Sequence, residues 1–296
     1  MQGRPINKAS ATLIAAIGAF AAPHASAQSL TTYGTPGLIE MPTAEVMQDG
    51  DLAFTASFFG PNRRYTGTFQ VLPRVYGSFR YSHIKNIFGT SGYLGGDTFD
   101  RSFDIHYQIF DETARRPAVA IGLRDFLGTG ILSGEYFVAT KSFGPKLEVT
   151  GGLGWGRFAG RNSFSNPLGV IADRFKTRPT GFTGTGGQIE TGNWFRGPTS
   201  PFAGVKWKFS DQTTFFAEYS PDLYTLESVS TGINVSSPLN LGVEYRFKNG
   251  PKLKGYIIGG HEIGAQLSYV INPKRPRHEA SGFHHEWEPI DLACRK

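Results

Sequence analysis

The sequence predicts an all-β fold, a transmembrane antiparallel β-barrel of about 12 strands, a size such barrels adopt. Three observations predict it. Ser102 to Ile109 reads Ser-Phe-Asp-Ile-His-Tyr-Gln-Ile, an unbroken polar and apolar alternation. Period 2 places Phe103, Ile105, Tyr107 and Ile109 on one strand face and Ser102, Asp104, His106 and Gln108 on the other. Similar stretches follow an N-terminal export signal. Short and long connections also alternate along the chain, as they do when hairpins turn on opposite sides of a membrane.

Bulk composition is compatible with this reading without announcing it. Hydrophobic residues make up 39% of the 296, mean hydropathy is −0.25, and no run long enough for a spanning helix follows the N-terminus. A barrel passes that test because only alternate residues meet lipid. The 38 Gly, 24 Phe and 12 Tyr suit tight turns, close strand approach and aromatic girdles at the membrane surfaces. A length of 296 residues fits one large all-β domain.

Residues 1–27 read as a cleavable signal: Arg4 and Lys8 precede the apolar run Ala11 to Ala22, and Ala25-Ser26-Ala27 offers small residues for cleavage. No cysteine lies near that point, so lipid attachment is not expected there. Of the 30 basic residues two fall in the signal, leaving 28 against 24 acidic ones. Such a mild surplus suits phosphate-bearing lipids or acidic polysaccharide without demanding either.

Residues 28–50 are expected to form an N-terminal periplasmic segment, and residues 51–272 the barrel. The predicted strands are Asp51 to Phe59, Thr66 to Leu72, Arg74 to Ile84, Arg101 to Ile109, Ala118 to Asp125 and Leu132 to Thr140. They continue with Lys146 to Arg157, Phe202 to Phe209, Thr213 to Ser220, Leu239 to Lys248, Leu253 to Ile258 and His261 to Ile271. Alternation is clear in the tenth (Leu241, Val243, Tyr245, Phe247) and poor in the eleventh. Short links at Pro73, Phe143 to Pro145, Ser210 to Gln212 and Asn249-Gly250-Pro251 alternate with long ones at Lys85 to Asp100, Phe158 to Pro201 and Pro221 to Pro238. Residues 273–296 are expected to be a disordered tail, carrying Cys294 as the sole thiol and His278, His284 and His285 at spacings that match no standard metal pattern.

Strand parity turns Arg80, Asp104, His106, Arg124, Glu135, Glu148, Lys206, Lys208, Glu218, Glu244 and Arg246 toward the lumen. A barrel of this size has a modest bore, so these mixed charges are expected to pair with one another or to line a substrate path. The long link from Phe158 to Pro201 interleaves Arg161, Arg174, Lys176, Arg178 and Arg196 with aromatics including Trp194. In an exported protein this points to lipopolysaccharide phosphates or a sugar chain rather than nucleic acid, because guanidinium forks grip anionic oxygens and aromatic faces stack on sugar rings.

Enzymatic motifs are absent: there is no Gly-x-Ser-x-Gly elbow, no His-Glu-x-x-His, no phosphate loop and no cofactor signature. Gly151 to Gly156 alternates glycine with Leu153 and Trp155 as a strand does, with no following helix. Asp104 and His106, two residues apart on one face, are the closest approach to an acid–base pair.

Several short segments, taken in order, form one recognisable set. They are Gly34-Thr35-Pro36-Gly37-Leu38-Ile39-Glu40-Met41-Pro42-Thr43-Ala44, Leu72-Pro73 with Phe79-Arg80-Tyr81, Gly122-Leu123-Arg124-Asp125-Phe126 with Gly128-Thr129-Gly130, and Gly134-Glu135-Tyr136. Further along come Gly152-Leu153-Gly154-Trp155-Gly156-Arg157, Phe195-Arg196-Gly197-Pro198, Glu218-Tyr219, and Pro238-Leu239-Asn240-Leu241-Gly242 with Tyr245-Arg246. Together these segments resemble the YjbH family of exopolysaccharide-associated outer-membrane proteins. The resemblance implies a single-barrel version of a protein linked to production or export of exopolysaccharide or capsule, whose longer relatives carry a second half. It implies as partners outer-membrane lipid and lipopolysaccharide, an exopolysaccharide chain and periplasmic proteins of the same operon, and no catalytic residues. The expected function is thus non-enzymatic, in the outer membrane of a Gram-negative bacterium. The alternatives are a structural or adhesive barrel that holds lipopolysaccharide or a protein partner, and an outer-membrane hydrolase using Asp104, His106, Glu135, Glu218 or Glu244.

Overall fold

The computed structural model describes residues 28–85, 96–179, 188–189, 191–231, 233–248 and 250–274. The expected signal segment, Cys294 and the three tail histidines lie outside the described residues. The strands are β1 (Leu52–Phe59), β2 (Asn62–Leu72), β3 (Val75–Ile84), β4 (Thr98–Phe110), β5 (Ala118–Gly128), β6 (Gly134–Phe143) and β7 (Leu147–Trp155). After the long connection, which contributes the two-residue β8 (Gln188–Ile189), come β9 (Thr199–Lys208), β10 (Thr213–Tyr219), β11 (Leu239–Arg246), β12 (Lys252–Ile258) and β13 (Glu262–Ile271). A single short helix, α1 (Thr225–Thr231), lies between β10 and β11 among the described residues.

Twelve of these strands close an antiparallel barrel, each paired to its neighbour in sequence. β1 completes the ring on β13, from Leu52↔Ile271 to Phe59↔Gly264. β8 stands outside the ring and pairs with the end of β5. Closure satisfies every edge, which is what allows strands to cross lipid. The chain enters and leaves at one end of the barrel, here the terminus end; the long connections gather at the other, the loop end.

Alternation inverts the usual globular rule. In β4, Asp100, Ser102, Asp104, His106 and Gln108 are buried, while Phe99, Phe103, Ile105 and Tyr107 are exposed. The same inversion runs through Phe54 and Phe58 of β1, Leu241, Val243 and Tyr245 of β11, and Leu253 and Ile257 of β12. An apolar exterior over a polar interior is the arrangement of an outer-membrane-type barrel. Aromatic rings band both ends of that exterior. Near the terminus end Trp207, Phe209 and Phe215 lie 5.6 to 5.8 Å apart, beside the Tyr245–Phe247 pair at 5.1 Å. Near the loop end Phe58 meets Tyr65 at 5.9 Å and Tyr81 stacks on Phe99 at 6.0 Å.

All twelve expected strands are present, with shifted ends. The largest shift is in β2, which begins at Asn62 rather than Thr66 and leaves only Gly60 and Pro61 to turn from β1. Those four added residues bring Arg64 onto the inner face, where it is fully buried.

Residues 28–50 correct the expectation of a periplasmic segment outside the barrel. From Ser29 to Ala44 they are buried within it. The segment folds as linked turns, with bridges Leu30↔Pro36 and Gly37↔Pro42, closed by Thr32 N donating to Ile39 O (2.7 Å) and Leu38 N to Met41 O (2.9 Å). Leu38, Ile39, Met41 and Ala44 form the centre of the main apolar cluster, packed with the inward-facing Phe202, Phe216, Tyr136, Tyr256 and Phe59. The barrel therefore has a small hydrophobic core inside it, and the N-terminal segment supplies the middle of that core.

Candidate functional site

The contact between this plug and the barrel wall gathers a large share of the buried charge among the described residues. Glu218, inward-facing on β10, receives three successive plug amides: Ile39 N (2.9 Å), Glu40 N (2.9 Å) and Met41 N (3.1 Å). Asn240 Nδ2 supports the same carboxylate at 2.8 Å. On β12, Lys254 Nζ donates to Leu30 O and Leu38 O, both at 2.6 Å, and Lys252 Nζ to Gln28 O at 2.9 Å. Arg124 Nη2 reaches Glu40 O at 3.0 Å, and Gln108 Nε2 reaches Ala44 O at 2.9 Å. A turn-rich segment has few internal partners for its backbone, and wall side chains satisfy the remainder, as burial requires.

Tyr33 and Glu40 meet charged wall groups at the loop-end side of the plug. The Tyr33 ring lies against three guanidinium groups, Arg124 at 3.6 Å, Arg64 at 3.9 Å and Arg80 at 4.8 Å. Such desolvated cation–π contacts add to the buried apolar cluster that Tyr33 forms with Ile84 and Leu132. Glu40 pairs with Arg64 at 3.3 Å, accepts from Thr32 Oγ1 at 3.1 Å, and accepts from the Tyr224 hydroxyl of the β10–β11 connection. Beside it Arg157 bridges Asp222 and Glu227, both at 2.6 Å, tying the two longest described connections to each other above the plug. Burial pushes the Asp222 carboxyl up to about 6, against the pull of Arg157.

Glycine fits the plug to its wall at two places. Gly204 of β9 leaves the space taken by Leu38 Cδ1, which would lie 2.4 Å from a Cβ there. Gly34 has φ +79° and packs on Thr66, whose Cβ would lie 2.4 Å from an added Cβ. Gly34→Val combines a left-handed backbone with overpacking, a penalty on the order of 3 kcal/mol. We expect it to expose residues 28–50 to chymotrypsin, which can cut after Tyr33 and Leu38, while the barrel keeps its heat-resistant mobility in gels; a segment still protected would mean that this seat is not tight.

The predicted lumen residues are placed as follows. Arg80 pairs with Asp104 at 2.6 Å, and Asp104 also accepts from Asp125 N at 2.8 Å. His106 hydrogen-bonds Tyr136 through Nδ1 at 3.0 Å and stacks on Tyr76 at 4.5 Å, so each member of the suspected acid–base pair has its own partners. Lys206 joins Glu148 at 2.7 Å to Glu45 of the plug at 3.0 Å. Glu244 takes Ser29 Oγ at 2.8 Å and lies 3.3 Å from Lys252. Lys208 and Arg246 sit lower, near the terminus-end turn, with Lys208 3.0 Å from Asp211 and Arg246 on the Asp211 carbonyl at 2.8 Å.

The loop arginines are largely turned inward on the loop itself. Arg178 forms a two-pronged pair with Glu135 at 2.7 and 3.0 Å, pinning the connection to β6. Arg196 donates to the carbonyls of Arg174 (2.6 Å), Thr177 (3.0 Å) and Gly192 (2.7 Å), and Arg161 donates to Val235 O. Arg174, over Phe175 at 4.9 Å, and Lys176, paired with Asp173 at 2.6 Å, remain exposed; Trp194 is half-buried. The sequence reading missed Glu40, Tyr33, Arg64, Lys252, Lys254, Arg157, Asp222 and Glu227.

Among known proteins, the YjbH family model, described as "Exopolysaccharide biosynthesis protein YbjH", matches residues 29–291. One relative, the "Uncharacterized lipoprotein YjbH" of Escherichia coli (strain K12), is 30% identical over 222 residues, 74% of this chain and 31% of the relative. The chain thus spans about a third of that relative's length. Solved structures with similar folds include the KdgM porin in complex with disordered oligogalacturonate, at a TM-score of 0.41 and 8% identity, covering 74% of this chain and 97% of that one. An outer membrane channel from Pseudomonas putida F1 gives 0.35 and 8%, covering 79% and 100%. The family match runs from the start of the plug through the last strand, and on that match the chain belongs to the YjbH family.

Proposed function

We propose that this protein is a non-enzymatic barrel of the Gram-negative outer membrane that takes part in producing or exporting an exopolysaccharide or capsule. The carrying observation is the family match across plug and barrel together. In this reading the terminus end faces the periplasm and its operon partners, and the loop end faces lipopolysaccharide and the emerging polymer. Against the hydrolase alternative, Asp104, Glu135, Glu218 and Glu244 each hold a structural partner, and His106 is engaged by Tyr136 through Nδ1. An acid or base for glycoside cleavage must be free to meet substrate.

The filled lumen favours one second reading, a structural or adhesive barrel that binds lipopolysaccharide or a protein partner without passing polymer. Polysaccharide measured in a deletion strain and its complemented parent, as separate secreted and periplasmic pools, decides between them. We expect loss outside with accumulation inside. Equal pools in both strains would overturn the export reading in favour of the adhesive one.

A further inference from the structure

Below the plug, at the terminus end, the barrel encloses a cavity of about 570 Å³, roofed by Gln28, Ser29 and Glu45. That volume is in the range of sites that hold small ligands. Its charges sort by depth. At the roof Glu45 and Glu148 share Lys206, and Glu244 is held by Ser29 and Lys252, so the inner acids already have cations. At the mouth the balance differs: among the described residues the Lys146 ammonium group has no ion-pair or hydrogen-bond partner, and the Arg246 side chain donates to the backbone carbonyl of Asp211, whose carboxylate is held by Lys208. Three buried acceptors of the lining, Gln28 Oε1, Glu148 Oε1 and Glu244 Oε2, have no hydrogen-bond partner among the described residues.

We propose that this chamber is a binding site for an acidic oligosaccharide entering from the terminus end. Sugar carboxylates would meet Lys146 and Arg246, which form no ion pair among the described residues, and a sugar hydroxyl would donate to Glu148 Oε1 once that carboxylate turns toward the chamber. Charge-assisted contacts of this kind are the stronger class of hydrogen bond. The site abuts both ends of the plug. A carboxylate that reached Lys206 would compete with Glu45 for the same ammonium group, so occupancy of the chamber and seating of the plug share residues. This inference rests on the exopolysaccharide reading and names the chemical class of the polymer.

The test uses the full-length chain in detergent micelles, titrated calorimetrically with a short oligomer of glucuronate, a neutral maltose oligomer of equal length, and inorganic phosphate. The acidic oligomer should bind with an affinity that falls as salt rises, and Lys146→Ala with Arg246→Ala should weaken it about tenfold or more. Both side chains sit at the mouth, so the heat-resistant mobility of the double variant serves as the check on folding. No binding of the acidic oligomer overturns the site. So do equal binding of the maltose oligomer, displacement by phosphate at similar concentration, or undiminished affinity in the folded double variant. The pool measurement in the deletion strain is independent: altered pools with no binding would sink the site alone, and binding with unaltered pools would sink the export role alone.

Discussion

Removal of residues 29–47 is expected to turn a barrel that passes no steady current in a planar bilayer into an open pore. The full-length chain fills its lumen with these residues, from Leu30 and Tyr33 through Leu38, Ile39 and Met41 to Ala44, each no more than 1% exposed. The wall can lose them without collapsing, because the ring is closed by backbone pairing from β1 to β13. The groups left behind, Glu218, Lys254, Arg124, Gln108 and Ser57, are polar and would be satisfied by water entering from both ends. The apolar inner residues Phe202, Phe216 and Tyr256 would become wet, which lowers stability by about 25 cal/mol for each Å² exposed but leaves the lipid-facing belt intact. A barrel of about twelve strands has an interior wider than the side-chain-filled eight-stranded kind. Steady single-channel conductance in the shortened chain, with none in the full-length one, is the expected result. Absence of current in a shortened chain that still migrates as a folded barrel would mean that the wall side chains close the lumen without the plug.

The strands were legible in sequence because each carries its own two-residue period, and that period survives whatever lies inside the barrel. The inward set Ser102, Asp104, His106 and Gln108 was assigned from spacing and is buried as assigned. The plug has no such period. Gly34, Pro36, Gly37 and Pro42 break it into turns, and Leu38, Ile39 and Met41 fall too close together to mark one face of a strand. Such a run reads as a connecting segment until a lumen is available to bury it, and the lumen is a property of the closed ring rather than of any local stretch.

The same cause explains the misplaced or missing site residues. Arg64 was lost with the first four residues of β2, where Arg63-Arg64 interrupts the alternation. Lys254 lies on β12, whose inward Tyr256 makes both faces look apolar and obscures the parity. The β7–β9 connection shows the opposite limit. Arginine count could not tell a guanidinium offered to solvent from one such as Arg196, which holds three carbonyls of its own loop.

Glu218→Ala should release the plug while leaving the barrel assembled. The carboxylate, 1% exposed, is the only acceptor among the described residues for three adjacent amides at 2.9, 2.9 and 3.1 Å. Truncation leaves three buried N–H groups without a partner. At about 1–3 kcal/mol for each unsatisfied group, the penalty is on the order of 4 kcal/mol, with some returned if water occupies the vacated space. Glu218 belongs to one strand whose pairing to β9 and β11 is made by backbone, so the ring itself is not at risk. The expected readouts are fast hydrogen exchange at Ile39, Glu40 and Met41 and intermittent conductance, between the closed full-length chain and the open shortened one. Glu218→Gln keeps one carbonyl acceptor and should lose roughly half as much. That graded order is the discriminating feature: a plug held chiefly by the apolar contacts of Leu38 and Ile39 would show slow exchange and no current in both variants. Equal and complete opening in both would instead mean that the negative charge, and not the geometry of its two oxygens, holds the segment in place.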